Sequence, residues 1–573
     1  MPTLPIWLAL LLVGVPAAHV LIAPYTKVEE SFTIHAAYDV LRYGFAPRAL
    51  EMQSLTYRCS LPSSTACFTS SRARVDHQWD HRTFPGAVPR SFLPPILLAV
   101  VSWPVAALAN LGGITRTSVD VQVLVRLVLA FAFSASYAHL ARTIWTRYGP
   151  STAKLFVIIS LIQFHVPYYA GRTLPNFTAL PFVVLAVSLV LRGRNFAGIA
   201  LMTAVATVVR LELALFVVPL ALNLVIIRRM SLLSALAAGV VGGVGSLLVA
   251  APIDYTLWAP VLPHESLPGF TPTSALWPEL SAMIFNVVDG HADEWGVMHA
   301  TFYATSLGKM LAGALPLVNG GILWAIVLAI TGNKDSVISD TNLQRCVGEV
   351  SRVFGPPVVA LVGCLTTVGH KEWRFIVYVM PILNILAGST ASALWYIPHR
   401  AGRVVTRLGV LALLAITLAV TAFSTYVSTA NYPGGQVWTT LNTLAIPEGS
   451  TIHFPSYPLQ TGATLFTFTH ASAAASGTSG ALAFPAQQSP TWVYSKNEDV
   501  ALLTPAGAWA ADIDYVITHN AASWISGHKA YRNGELMWTE VANIGGLNGV
   551  RRGGKYFLEV AWGKKLSILK RVD

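Results

Sequence analysis

About eleven apolar runs, each long enough or nearly long enough to cross the ~30 Å hydrocarbon core of a bilayer, crowd the sequence between residues 6 and 427. They cover 6–23, 92–111, 121–141, 153–169, 179–191, 196–227, 232–251, 310–330, 353–367, 375–395 and 408–427. At these lengths only helices satisfy their own backbone groups in hydrocarbon, so the chain reads as an α-helical polytopic membrane protein. Charge supports this: 11% of residues are charged, against ~25% in soluble domains. The net charge of +11 does not gather on a basic module. It sits in short groups between runs, such as Arg228-Arg229 and 399–407, suited to anionic leaflets. Membrane lipid is therefore an expected partner and nucleic acid is not.

The first run is expected to be retained as a helix, because residues 1–5 carry no basic residue and 15–18 make only a fair cleavage site. With 228–229, 334–345 and 399–407 assigned to the cytoplasm, the loops 24–90 and 252–309, the short link 369–374 and the tail 428–573 fall on the opposite face. Runs 153–169 and 179–191 are short for a span, which predicts broken or re-entrant segments lining a protein cavity. After residue 427 the composition shifts to Gly, Ser, Thr and aromatics with short alternating patches. The chain therefore divides into a transmembrane module, 1–427, and a small α/β domain, 428–573.

Polar residues recur at the ends of the runs on that second face, where charge beside hydrocarbon is costly without a function or a partner. Glu29 and Glu30 follow the first run. Asp80, His81 and Arg90 flank a Pro-Gly reversal before the second. Arg172 lies in a Gly/Pro-broken stretch, and Arg210 and Glu212 stand inside the run 196–227. Trp277-Pro278-Glu279 and Glu294-Trp295 set rings beside carboxylates, a combination suited to sugars and equally to a membrane interface. His370, Lys371 and Arg374 place three potentially cationic groups at the head of a run, a natural site for phosphate. The four cysteines, Cys59, Cys67, Cys346 and Cys364, show no C-x-x-C spacing, and no His/Cys/carboxylate set has metal spacing, so no metal is expected. Cys59 and Cys67 are close enough for a small disulfide, but the anomalous composition of their segment argues against one.

In this order, YTKVEESF, DHRTFPGAVPR, GRTLPN, RLE, WPE, EWG, HKEWRF and YPGG resemble the GT-C glycosyltransferases of the endoplasmic reticulum that use dolichyl-phosphate-mannose. The likeness spans nearly the whole chain. It is nearest to the α-1,6-mannosyltransferases that extend lipid-linked Man7GlcNAc2, because KVEESF stands where the α-1,2 and glycolipid-anchor siblings have H-P-D-E. Two stretches depart from the family pattern: 51–78, which holds Cys59 and Cys67, and 261–276.

The resemblance implies a lumenal active site in a multi-pass membrane protein and no cofactor. Its donor would be dolichyl-phosphate-mannose and its acceptor a lipid-linked oligosaccharide, with the dolichyl chain in a groove between spans. Transfer from a β-linked phosphate to an α-linkage inverts the anomeric carbon, which calls for one carboxylate base and for positive charge on the leaving phosphate. On that basis Glu29 is the base, with Glu30 orienting the site or replacing it. His370, Lys371 and Arg374 meet the phosphate, with Arg210 and Arg90 behind them, and Asp80, His81, Glu294 and Trp295 hold the acceptor. The alternatives are a sibling α-1,2-mannosyltransferase of N-glycan or glycolipid-anchor assembly, or a transporter. A transporter would call for matched broken helices in two halves, and no such repeat is seen.

Overall fold

The computed structural model describes residues 4–44, 79–84, 86–259, 261, 276–331, 341–471, 483–485, 488–526, 530–532, 534–553 and 558–572. The departure at 51–78, with Cys59 and Cys67, lies outside them, as does most of 261–276. Among the described residues seven helices are long and apolar enough to span a membrane: Leu93–Leu111, Ser118–Tyr148, Leu232–Trp258, Phe302–Thr331, Asn342–Thr367, Trp373–Trp395 and Arg400–Thr429. Six apolar helices are shorter, among them Ile6–Ile22, Pro150–Leu161 and Pro175–Leu191. The chain forms two compact units, one of 1–23, 87–94 and 126–428, the other of 24–86, 95–125 and 429–573.

The first unit is a helical bundle. The apolar stretch of Trp373–Trp395 is 89% buried, whereas those of Leu232–Trp258 and Arg400–Thr429 are 17% buried, so the first runs through the interior and the other two face outward. In lipid no hydrophobic force pulls helices together, and close backbone approach at small residues does much of that work. Leu232–Trp258 packs on Asn195–Val208 at Gly242, where a Cβ would run into the Ala200 carbonyl. Gly388 plays the same part between Met380–Trp395 and Pro150–Leu161, leaving 2.8 Å between a would-be Cβ and Phe156 N. A buried amide pair adds polar glue: Gln163 donates to Asn384 Oδ1 at 3.0 Å, and Asn384 donates to Gln163 Oε1 at 2.8 Å and to Ser160 Oγ at 3.1 Å.

Two runs depart from simple spans. Run 153–169 is helical only to Leu161 and continues in turns until Pro175 opens the next helix at its first position, where the missing N–H costs nothing. Run 196–227, read from the sequence as one segment, is two helices, Asn195–Val208 and Ala214–Ile226, separated at an extended Arg210 and a 3-10 turn over Leu211–Leu213. A guanidinium and a carboxylate two residues apart cannot share one face of a continuous helix, and the break lets each find its own surroundings.

The second unit is built on a five-stranded sheet. Its strands are β1 (Thr451–His453), β2 (Val493–Ser495), β3 (Tyr515–Thr518), β4 (Trp538–Arg551) and β5 (Glu559–Arg571), in the order β2-β1-β3-β5-β4. β1 pairs parallel with β2 and β3, and β4–β5 is a long antiparallel hairpin. One face carries Trp438, Phe454, Phe468 and Tyr494, with Phe468 and Tyr494 stacked at 4.4 Å. The tail 428–573 does not stand alone in this unit. Gly435 of the YPGG stretch lies so close to the Tyr25 ring that no side chain fits there, and Lys27 Nζ donates to Asn431 O at 2.6 Å. The tail therefore holds the segment that carries Glu29 and Glu30.

A branched side chain at Gly242 must push two helices apart. Gly242→Val should cost about 1–3 kcal/mol, read as a lower melting temperature in detergent, whereas Gly239→Ala, on the same helix with open space around it, should leave that temperature unchanged.

Candidate active site

The acidic pair divides. Val28–Glu30 is one 3-10 turn leading into the helix Ser31–Tyr43, and successive side chains on such a turn point about 120° apart. Glu30 turns inward and is fully buried, accepting the Lys27 N–H at 3.0 Å, which ties down the start of the helix. Glu29 turns outward and is exposed.

One turn further along, His35 and Asp39 lie on the same face of that helix and both grip Asp80. His35 Nδ1 meets Asp80 Oδ2 at 2.9 Å, and Asp39 Oδ2 accepts the Asp80 N–H at 2.8 Å. Lys496, from the segment after β2, forms an ion pair with the other Asp80 oxygen. Burial alone would raise the Asp80 carboxyl, but the charges and hydrogen bonds of His35 and Lys496 hold it below the usual carboxylate range. Asp39 is pushed well above the range by burial and by that neighbouring carboxylate. His81 is buried with its ring edge against Trp79 at 5.8 Å.

In the first unit the cationic residues from three separate stretches come together. The break at Arg210 leaves unmade the helical hydrogen bond from Leu211 N to Thr207 O. Both halves are taken up by one tripeptide: Trp277 Nε1 donates to Thr207 O at 2.8 Å, and Glu279 Oε2 accepts the Leu211 N–H at 2.9 Å. Arg210 then lies within electrostatic reach of Glu212, Glu279, Tyr378 and Glu372. Asn176 donates to Glu212 at 2.5 Å and to the Tyr378 hydroxyl at 3.2 Å.

Arg90 joins from the segment before Leu93–Leu111. Its guanidinium is lowered to about 10 by withdrawal from water and by the like charges of Arg210 and Arg374, with Glu279 opposing. Glu279 is raised to about 7 by desolvation, against the pull of Arg210. Arg374 forms a two-point pair with Glu372, at 2.6 Å from Nη2 to Oε1 and 2.6 Å from Nε to Oε2.

The other expected phosphate groups are placed differently. Lys371 is buried and its ammonium serves backbone carbonyls, at 3.0 Å to Met298 O and 2.5 Å to Val368 O. His370 lies between Gly296 O at 3.1 Å and Glu372 Oε1 at 3.2 Å. Glu294 and Trp295 are exposed on a short turn; Glu294 pairs with His291 at 2.8 Å, and Trp295 Nε1 donates to Asn286 at 3.2 Å. The sequence did not single out His35, Asp39, Glu372 or Lys496 as site residues. The 35/39 spacing on a helix starting at Ser31 could have found the first two, but nothing local marks Lys496.

Over 98% of this chain and 97% of the other, the fold is similar to the crystal structure of ArnT from Cupriavidus metallidurans in the apo state, with a TM-score of 0.52 at 11% identity. The two chains therefore share a fold. Residues 72–441, well over half of the chain, match the Alg9-like mannosyltransferase family, and the chain belongs to it. Among curated relatives, the Dol-P-Man:Man(7)GlcNAc(2)-PP-Dol alpha-1,6-mannosyltransferase of Saccharomyces cerevisiae is 29% identical over 79% of this chain and 76% of its own length. A protein of Schizosaccharomyces pombe with the same description, qualified as probable, is 26% identical over 87% and 75%. The Arabidopsis thaliana relative with that description is 25% identical over 86% and 83%.

Removing one partner of a buried ion pair strands the other, so Lys496→Met should cost about 3 kcal/mol at neutral pH. A carboxyl held low in the folded state contributes stability above its unfolded value of 3.8 and loses it as pH falls. Thermal unfolding from pH 7 down to about 3 should therefore show the difference between wild type and Lys496→Met narrowing once pH passes below about 4.

Proposed function

We propose that this protein is an inverting α-1,6-mannosyltransferase that moves mannose from dolichyl-phosphate-mannose to lipid-linked Man7GlcNAc2 in the lumen of the endoplasmic reticulum. The observation that carries the reading is the meeting of Arg90, Arg210 and Arg374 in a membrane protein of the Alg9-like mannosyltransferase family. Glu212, Glu279 and Glu372 offset part of the charge of these guanidinium groups, which are suited to take a polyprenyl phosphate as a further anion. The substrates are those named for the curated relatives.

In the proposed step the 6-hydroxyl oxygen of the acceptor mannose forms a bond to C1 of the donor mannose while the bond from C1 to the phosphate oxygen breaks. The hydroxyl proton passes to the Glu29 carboxylate, and the electron pair leaves with dolichyl phosphate. Exposure supports Glu29 over Glu30, whose carboxylate is engaged at the start of its helix. The leaving phosphate is already a stable anion and needs no acid. It needs positive charge that strengthens as the bond breaks, which Arg90, Arg210 and Arg374 supply, with His370 and Lys371 close to Arg374 in sequence. Asp80 and His81, together with Glu294 and the exposed Trp295 ring, are assigned to the glycan acceptor. No metal takes part in this scheme.

Glu29→Gln should lower transfer at least ~10²-fold in microsomes given dolichyl-phosphate-mannose and Man7 acceptor, with the protein present at its normal level. Normal Man8 formation by that variant removes Glu29 as the base. Glu30→Gln should instead reduce the amount of folded protein. Transfer should persist in EDTA, and its loss there would overturn the metal-free scheme. Cells lacking the chain should accumulate lipid-linked Man7GlcNAc2; a shorter glycan or a glycolipid-anchor precursor would assign the protein to a sibling activity.

A further inference from the structure

The segments that carry Arg90 and Arg210 are gripped in the same way. At Arg210 the grip is Trp277 on Thr207 O and Glu279 on Leu211 N. At Arg90 the indole of Trp258 donates to the Arg90 carbonyl at 2.8 Å, and Asp254 Oδ1 accepts the Phe92 N–H at 2.6 Å. Asp254 and Trp258 are four residues apart on the last turns of Leu232–Trp258, so both reach the same stretch of chain, and both are fully buried. The Phe92 ring rests on the Trp258 indole at 5.6 Å, closing the contact. In each case an indole holds a carbonyl, a carboxylate holds an N–H, and an arginine lies on the main chain so held.

We infer that Asp254 with Trp258, and Glu279 with Trp277, are paired positioning clamps that set the Arg90 and Arg210 side chains around one phosphate. This rests on the assignment of those arginines to the donor phosphate. The physical need is plain. Two long cationic side chains that repel each other would swing apart on a compliant backbone, and the cost of bringing them back would be charged to substrate binding. Fixing the main chain at both arginines removes that freedom before the lipid arrives. A buried carboxylate at the end of a spanning helix is otherwise costly, and the partners of Asp254, the Phe92 N–H and Ser91, both lie within two residues of Arg90.

The test compares Asp254→Ala, Asp254→Asn, Trp258→Phe, Arg90→Ala and the double variant Asp254→Ala/Arg90→Ala, in the full-length protein in detergent. It measures KM for dolichyl-phosphate-mannose, KM for the Man7 acceptor, and inhibition by dolichyl phosphate. Asp254→Ala should raise the donor KM and the dolichyl phosphate inhibition constant together by roughly tenfold, leaving the acceptor KM within about twofold. Asp254→Asn keeps an oxygen for the Phe92 N–H and should recover most of the loss. Trp258→Phe keeps the ring and removes the donor, and should act in the same direction if Asp254→Ala does not fold. The double variant should be no worse than Arg90→Ala alone. The inference is overturned if folded Asp254→Ala and Trp258→Phe leave both donor constants unchanged while Arg90→Ala raises them, or if the Asp254 and Arg90 effects simply add. If Arg90→Ala itself leaves inhibition by dolichyl phosphate unchanged, the phosphate assignment fails first and the clamp loses its purpose.

Discussion

A hydrogen bond that is not made organises the first unit. Between Val208 and Leu211 the chain leaves its helix, and a backbone N–H and C=O that would have bonded each other are left without their helical partners in an apolar surrounding. Each such group costs several kcal/mol if left alone in hydrocarbon, on the order of the whole stability of many domains. Trp277 and Glu279 reach in and take one group each. Once that is done Arg210 no longer has to lie along a helix surface facing lipid. It can turn toward Glu212, Glu279 and Tyr378, where its charge has company.

The second unit solves a different problem with similar means. Two adjacent glutamates must not do the same thing, and the tight turn they share separates them, burying one against the backbone and leaving the other in the open. Behind that turn, a single helix face and one distant lysine concentrate on Asp80. The tail contributes that lysine and also Gly435, against which Tyr25 rests. A β-sheet domain thus braces an acidic turn that a membrane helix alone would leave loose.

What could be read from the sequence follows from cost. Apolar runs and the rarity of charge announce a helical membrane protein, and a charge stranded in such a run, as Arg210 is in 196–227, is expensive enough to be noticed. The roles within a cluster were not legible. His370, Lys371 and Arg374 look alike as a string of cations, yet Lys371 spends its ammonium on carbonyls at 298 and 368, while Arg374 joins Glu372. Whether a cation points at a ligand or at the backbone is decided by where the preceding loop returns, and no local pattern encodes that. The same holds for Glu29 against Glu30, identical in type and separated only by the pitch of a turn. Long-range partners such as Lys496 for Asp80 depend on how the tail folds, and the helix break at Arg210 depends on a tripeptide nearly seventy residues away.

The grip on the two arginine segments acts on main-chain atoms, and this shapes how such a chain can vary over time. A contact made to an amide or a carbonyl is indifferent to the side chain above it, so the positions of Thr207 and Leu211 can drift among many residue types without disturbing the hold, whereas Phe92 also sets its ring on Trp258. The exception is proline. At 92 or 211 it would delete the very N–H that the carboxylate accepts, and these two sites are closed to it however well its shape suits a chain turning into or out of a helix.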